Sequence, residues 1–100
     1  MELRVNGKTR QQSHSSKMSV TVPEIIAHYS PMGYSAGDVL STGTVSGVAA
    51  FSDDPKSLYL KPGDVVECEI EKIGVLRNPV VSYKDRYPSE SAAYMAATHD

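Results

Sequence analysis

The residues best suited to contact a ligand lie in one run of small residues, Gly43-Thr44-Val45-Ser46-Gly47. Glycines let backbone N–H groups approach an anion, and the Thr44 hydroxyl can donate a hydrogen bond to a carboxylate or enolate oxygen. A nucleotide phosphate loop is excluded, because such a loop ends in Gly-Lys-Ser/Thr and Gly47 is followed by Val48. The residues alone leave two interpretations open: a plain turn at the end of a strand, or a loop that contacts a ligand.

Three acidic residues, Glu67, Glu69 and Glu71, alternate with apolar residues along a predicted strand. Carboxylate oxygens are the ligands that Mg²⁺ prefers, so a metal site is one interpretation. Alternation of charged and apolar residues is, however, the ordinary pattern of a strand with one face in water. We therefore interpret the three carboxylates as a solvated face rather than as metal ligands.

The remaining chemically capable side chains show no catalytic spacing. The histidines, His14, His28 and His99, have no second ligand three or four residues away, and this predicts surface histidines. Cys68 lies on the apolar side of its strand, which favours an inert buried thiol over a nucleophile. The serines near His14 lack the spacing of a nucleophile elbow, so a hydrolytic serine triad has no support.

Local signals in the first third of the chain predict a hairpin and then a helix. Asn6-Gly7 supplies the two positive φ angles of a tight turn between short β-prone runs. Pro23, placed behind Thr21, suits the first turn of a helix that ends by Ser30-Pro31.

The rest of the chain is predicted to be β-rich. Gly37 and Gly63 each suit the third position of a type II turn, and each precedes a run that favours a strand. The predicted strands cover residues 39–42 and 65–70, and residues 75–81 return as a partner strand. Residues 83–100 are polar and alanine-rich and are predicted to be a tail, with a possible short helix over 89–98. The fold class is therefore mainly β with one short helix, an α+β arrangement.

Composition excludes several classes of protein. The formal charge is −2 with no basic run, which argues against nucleic-acid binding. A single cysteine excludes an intramolecular disulfide framework. No apolar stretch approaches the roughly 20 residues that span a bilayer, and the first residues do not resemble a signal peptide. We expect a cytoplasmic protein without membrane or nucleic-acid partners, and its 40% hydrophobic content predicts a lean core.

Motifs in consecutive order resemble the fumarylacetoacetate hydrolase family over about residues 3–79. They are Leu3-Arg4-Val5-Asn6-Gly7, Arg10-Gln11, Ser16-Lys17-Met18, Pro23-Glu24-Ile25-Ile26-Ala27 with Ser30, Gly37-Asp38-Val39-Leu40-Ser41-Thr42-Gly43-Thr44, Gly47-Val48, Leu60-Lys61-Pro62-Gly63-Asp64-Val65-Val66-Glu67 and Glu69-Ile70-Glu71-Lys72-Ile73-Gly74-Val75-Leu76-Arg77-Asn78. The resemblance implies that residues 1–82 form the C-terminal half of a catalytic domain with a mixed β-roll fold.

The resemblance also implies an activity. Family members hydrolyse carbon–carbon bonds in β-diketo acids, or hydrate, isomerise or decarboxylate related 2-oxo acids, with Mg²⁺, Mn²⁺ or Ca²⁺ in the site. The family's metal carboxylates, catalytic lysine and His-Glu pair precede the matched stretch, so no catalytic or metal residue is assigned here. Thr44 and Gly43 match the family's substrate-binding Thr-Gly-Thr turn. Family members often have proline after that turn, where this chain has Val45, so the substrate stays open.

These implications predict a chain that is inactive alone and acts with a missing N-terminal half, as a homodimer, on a small 2-oxo or β-diketo acid. Two alternatives stay open. The first is a non-catalytic fragment that supplies only β-roll scaffold and dimer surface, and the second is an independent anion-binding module built on the Gly43 loop. The second alternative is the less favoured, because nothing else in the chain would complete its pocket.

Overall fold

The computed structural model describes residues 1–90, 92 and 97 and is organised around one antiparallel sheet of four strands. The strands are β1 (Glu2–Val5), β2 (Lys8–Gln12), β3 (Val65–Ile70) and β4 (Gly74–Pro79), in the order β2-β1-β3-β4. The helices are α1 (Val22–Tyr29), α2 (Pro55–Leu58) and α3 (Tyr83–Arg86), with 3₁₀ turns at Ser15–Lys17, Ser30–Met32 and Ala49–Phe51. The predicted mainly β, α+β class is confirmed.

The hairpin between β1 and β2 forms as predicted around Asn6 and Gly7, whose φ angles are 51° and 78°. The Asn6 side chain also joins this hairpin to the start of β3. Its Nδ2 donates to Oδ1 of Asp64 at 2.8 Å, and its Oδ1 accepts from the backbone N–H of Val65 at 2.9 Å. One residue therefore shapes the turn and fixes the pairing of β1 with β3, which are separated by nearly sixty residues of sequence.

We predict an acid-dependent weakening of this connection. The hydrogen bond from Asn6, helped by the backbone N–H of Lys61, lowers the pKa of Asp64 below its ordinary value of 3.8. Because the folded pKa is the lower one, the Asp64 carboxylate stabilises the fold above pH 3.8, and this contribution is lost as the pH falls through the folded pKa. Asn6→Gly keeps the turn's positive φ accessible and removes the donor. Carbon-detected NMR titration should then show the Asp64 pKa rising towards 3.8, and an unchanged pKa would contradict this cause.

Helix α1 begins where the sequence predicts. The Thr21 hydroxyl accepts from the backbone N–H of Glu24, and the Glu24 carboxylate accepts from the N–H of Thr21, so both ends of a capping box are present. Helix α1 ends at Tyr29 and continues into the Ser30–Met32 3₁₀ turn. The Tyr34 hydroxyl donates to the carbonyl of Ile26 and holds the following chain against the helix.

Residues 39–42 differ from the prediction, because they form no strand in the structure. Their backbone pairs with no strand among the described residues, although their side chains favour β structure, and Val39 is 94% exposed. A strand needs neighbouring backbone to pair with, so composition alone cannot produce one.

Helices α2 and α3 were not predicted from the sequence. The predicted helix over 89–98 lies largely, and His99 entirely, outside the described residues.

The chain covers little of its apolar surface. Val5, at 6% exposed, is the one hydrophobic side chain that is buried among the described residues. The accessible surface is 8460 Å², whereas a compact chain of this mass exposes about 5,500 Å². The radius of gyration is 18.4 Å, against about 13 Å for a compact domain of this length. The lean core that composition predicts is therefore present, and much apolar area stays uncovered.

None of the described helices has the length and apolar character needed to cross a membrane.

Candidate functional site

The Gly43-Thr44 turn lies beside strand β2 and is held there by one side chain. Nε2 of Gln11 donates to Oγ1 of Thr44 at 3.1 Å and to the carbonyl of Val45 at 2.8 Å. Gly43 has a φ of 84°, in the left-handed region that glycine tolerates, and a β-carbon there would meet no atom within 4 Å. The Thr44 side chain is exposed, so a ligand has access to its hydroxyl.

Gly47 brings the far end of the same loop into close contact with β2. Its φ is 107°, and a β-carbon at this position would lie 2.2 Å from the carbonyl oxygen of Arg10. Any side chain at this position would have to push the loop away from the strand. Gln11 and Gly47 therefore fix residues 44–47 against β2 from two sides.

A groove of about 490 Å³ opens in front of the loop. Its lining includes the loop itself, from Thr42 to Ser46, together with His14 and Lys17 at the two ends of the capped Ser15–Lys17 turn. A smaller cleft of about 210 Å³ is lined by Gly43, Thr44 and Val45 and by residues of the sheet. Hydroxyl groups and a lysine ammonium are suited to an anionic, oxygen-rich ligand, so the groove chemistry fits a carboxylate.

The acidic residues of β3 surround an arginine instead of facing solvent alone. Nη1 of Arg4 lies 2.8 Å from Glu69 and 3.1 Å from Glu2, and its Nε lies 3.9 Å from Glu67. The hydrogen bond that Arg4 donates to Glu69 is the main cause that raises the pKa of the Arg4 guanidinium. The guanidinium group of Arg4, a cation of the protein itself, thus lies between these carboxylates. Glu71 follows the end of β3.

Within the described part of the chain, no group of three or more histidine, cysteine, aspartate and glutamate side chains is arranged to hold a metal ion. His14 accepts from the backbone N–H of Ser16 and caps a 3₁₀ turn. His28 lies exposed on α1, with its ring edge-on to Tyr29 at a centroid distance of 5.0 Å. Cys68 is a free, half-buried cysteine on β3. The structure therefore gives these side chains capping and packing roles.

Sequence reasoning placed Gly43 and Thr44 at a candidate site, and the structure puts both on the groove. It missed the role of Gln11, because a contact between residues 33 positions apart has no local pattern. It also missed Lys17 and His14 as further residues that line the groove. The dipeptide Arg10-Gln11 belongs to the motifs that support the family resemblance, and this was the one signal near Gln11 in the sequence.

An antiparallel sheet with an exposed glycine-threonine loop beside a polar groove defines part of a mainly β domain. Comparison with known proteins identifies which domain this is. The profile of the fumarylacetoacetate (FAA) hydrolase C-terminal family matches residues 1–81, and the chain belongs to this family. The resemblance seen in the sequence is confirmed.

Several full-length relatives match the same stretch. An uncharacterised protein of Archaeoglobus fulgidus is 45% identical over 82 residues, which are 81% of this chain and 29% of that protein. A human mitochondrial oxaloacetate tautomerase is 43% identical over 79 residues, covering 78% of this chain and 24% of that protein. An oxaloacetate tautomerase of Bacillus subtilis is 41% identical over 81 residues, covering 80% of this chain and 26% of that protein. The chain thus spans about a quarter of the length of these relatives.

Proposed function

We propose that this chain supplies the wall of an active site that binds the carboxylate of a 2-oxo or β-diketo acid, with Thr44 and Gly43 as the contacting residues. The enzyme family includes hydrolases and isomerases, and two of the relatives are named oxaloacetate tautomerases. The substrate class proposed here is therefore a small 2-oxo dicarboxylate. The reaction class is the movement of a proton between the carbon next to the ketone and the enol oxygen.

The observation that carries this proposal is the hydrogen bond from Gln11 to Thr44. A hydroxyl group has one proton to donate and two lone pairs that accept. Because Nε2 of Gln11 can act only as a donor, Oγ1 of Thr44 must be the acceptor, and the Thr44 proton stays available for another partner. The nearest alternative acceptor, the carbonyl of Val45, lies at 3.5 Å, the outer limit of a hydrogen bond. Thr44 is therefore proposed as a hydrogen-bond donor to a ligand in the groove.

The chain's own residues bind and orient, and they do not fit the metal that the family implies. The described residues contain no set of ligands for Mg²⁺, Mn²⁺ or Ca²⁺. The carboxylates that most resemble such a set lie on β1 and β3, and Arg4 forms ion pairs with them. We propose that the metal and its carboxylates belong to another polypeptide segment of the complete enzyme. No step of the reaction is assigned to a metal on this chain.

The uncovered apolar surface supports the proposal that this chain works as part of a larger assembly. Its accessible surface of 8460 Å² exceeds that of a compact chain of the same mass by about 3,000 Å². Obligate interfaces bury about 2,000–5,000 Å² summed over both partners, which is about 1,000–2,500 Å² on each partner. The area left open here is thus of the size that a complementary half-domain and a second subunit would cover.

A chimaera tests the proposed function. The stretch of the B. subtilis oxaloacetate tautomerase that matches this chain is replaced by residues 1–81, so that the recipient enzyme supplies everything else. We expect the chimaera to accelerate the conversion of enol to keto oxaloacetate, followed by ultraviolet absorbance. A folded chimaera without activity would contradict the proposal and favour the alternative of a non-catalytic scaffold. Circular dichroism and sedimentation of the chimaera establish that it is folded.

A further inference from the structure

Lys17 brings a positive charge to the groove in front of the Gly43-Thr44 turn. Among the described residues, it is the one lysine or arginine that lines this groove of about 490 Å³. Its side chain is exposed, and the ion pairs within residues 1–90 all involve Arg4 instead. The Lys17 ammonium is therefore accessible to an anion that enters the groove.

The backbone around Lys17 is tied to the sheet. Directly after β2, the N–H of Ser13 donates to the carbonyl of Met1 at 3.1 Å and continues the β1–β2 ladder. His14 then caps the 3₁₀ turn: its Nδ1 accepts from the N–H of Ser16 at 3.1 Å, and its carbonyl accepts from the N–H of Lys17 at 3.0 Å. These bonds fix where the Lys17 side chain starts.

The same strand holds Thr44. Gln11 lies on β2, and its Nε2 donates to Oγ1 of Thr44 at 3.1 Å. Lys17 follows Gln11 by only six residues, through the capped turn. Strand β2 therefore positions both a hydroxyl and an ammonium on one groove, and these two groups are suited to two separate anionic groups of one ligand.

Acidic side chains also lie near Lys17. Lys17 lines an adjoining cleft together with Glu2, Glu69 and Glu71. Glu2 and Glu69 are already paired with Arg4, at 3.1 and 2.8 Å. Glu71 pairs with no cation among the described residues, so it is the carboxylate that competes with a ligand for Lys17.

We propose that Lys17 binds the second carboxylate of a dicarboxylate whose first carboxylate is bound by Thr44, and that Lys17 thereby selects dicarboxylates over monocarboxylates. This inference rests on the proposed function, because it takes Thr44 as the contact for the first carboxylate. The ammonium has three donors and a full charge, and its flexible four-carbon stem lets it follow the ligand. A monocarboxylate held by Thr44 gains nothing from this ammonium.

Titration of the full chain with malonate and with acetate tests this inference, because malonate has two carboxylates and acetate has one. Backbone amide NMR shifts of Thr44 and Lys17 give the two dissociation constants and show that each variant is folded. We expect malonate to bind about tenfold more tightly than acetate, since the ammonium adds a second charged contact. Lys17→Met should remove this difference, and Lys17→Arg should keep it.

The matched control is Lys56→Met, the same change at an exposed lysine of α2 that does not line the groove. It should leave the preference for malonate intact. Equal loss in Lys56→Met and Lys17→Met would show a general effect of charge and overturn the proposal. A preference that appears only in Glu71→Gln would also overturn it, because Lys17 would then be paired with Glu71 in the native chain.

The Thr44 amide separates this inference from the proposed function. If both acids shift Thr44 with equal affinity, or if the malonate preference survives Lys17→Met, Lys17 recognises no second carboxylate while the Thr44 contact stands. If neither acid shifts Thr44, the carboxylate contact proposed above is itself wrong, and this inference fails with it.

Kinetics of the chimaera that carries residues 1–81 supply a second test, on the assembled site. Lys17→Met should raise KM for oxaloacetate about tenfold and change kcat by less than about twofold, because Lys17 binds substrate without moving a proton. Lys56→Met should leave both parameters unchanged. A fall in kcat with an unchanged KM in Lys17→Met would contradict a role in binding.

Discussion

Thr44→Val should lower kcat/KM for oxaloacetate about 10- to 150-fold in the chimaera that carries residues 1–81. Valine copies the shape of threonine and removes the groove-lining hydroxyl whose oxygen accepts from Gln11. A hydrogen bond to a charged group contributes about 1.5–3 kcal/mol, and this range converts to the expected loss in kcat/KM. The measurement is steady-state kinetics, normalised to the concentration of folded protein.

The matched control is Thr9→Val, the same chemical change at an exposed position of β2 where the hydroxyl donates to Glu2. We expect this variant to keep kcat/KM within about twofold, since a surface substitution usually changes little. If Thr44→Val keeps full kcat/KM while its melting temperature falls, Thr44 only shapes the turn. That outcome would remove the proposed substrate contact.

Gly47→Ala should destabilise the chain by about 2–4 kcal/mol, the second large effect that the structure predicts. The added β-carbon would lie 2.2 Å from the carbonyl oxygen of Arg10, and the φ of 107° is itself unfavourable for alanine. The loop must move away from β2, and the hydrogen bonds from Gln11 to Thr44 and Val45 would then break. Urea denaturation followed by circular dichroism measures the loss of stability.

Gly37→Ala separates the steric effect from the backbone strain. Gly37 also has a positive φ, 94°, but a β-carbon there would meet no atom within 4 Å. Its substitution should therefore cost only the strain, about 1–2 kcal/mol. Equal losses for the two alanine variants would show that contact with Arg10 does not hold the loop.

The parts of the fold that could be predicted from the sequence are those that neighbouring residues determine. Asn6-Gly7 specifies its turn because both residues tolerate positive φ, and Thr21 with Glu24 specifies the start of α1 through mutual capping. The alternation around Cys68 likewise predicts strand β3, although its residues do not alternate between buried and exposed in the structure. Each of these signals acts over fewer than ten residues, so no knowledge of the rest of the chain is needed.

The parts that could not be predicted depend on contacts between distant segments. Residues 39–42 have a strand-like composition but no partner strand among the described residues, so the composition was misleading. The acidic residues of β3 read as a solvated face, yet Arg4 from β1 joins Glu67 and Glu69 because β1 pairs with β3. Thr44 and Gly43 were proposed as site residues from the sequence, while the contact of Gln11 with Thr44 needed the three-dimensional structure.

The near absence of buried apolar side chains has a thermodynamic consequence for the isolated chain. The heat-capacity change of unfolding comes from apolar surface that becomes hydrated, and here most of that surface is already in water. The steepness of a chemical denaturation curve depends on the same newly exposed area. The stability of this chain therefore depends on the concentration of its partners, because each partner that covers its apolar surface adds binding free energy to the folded state.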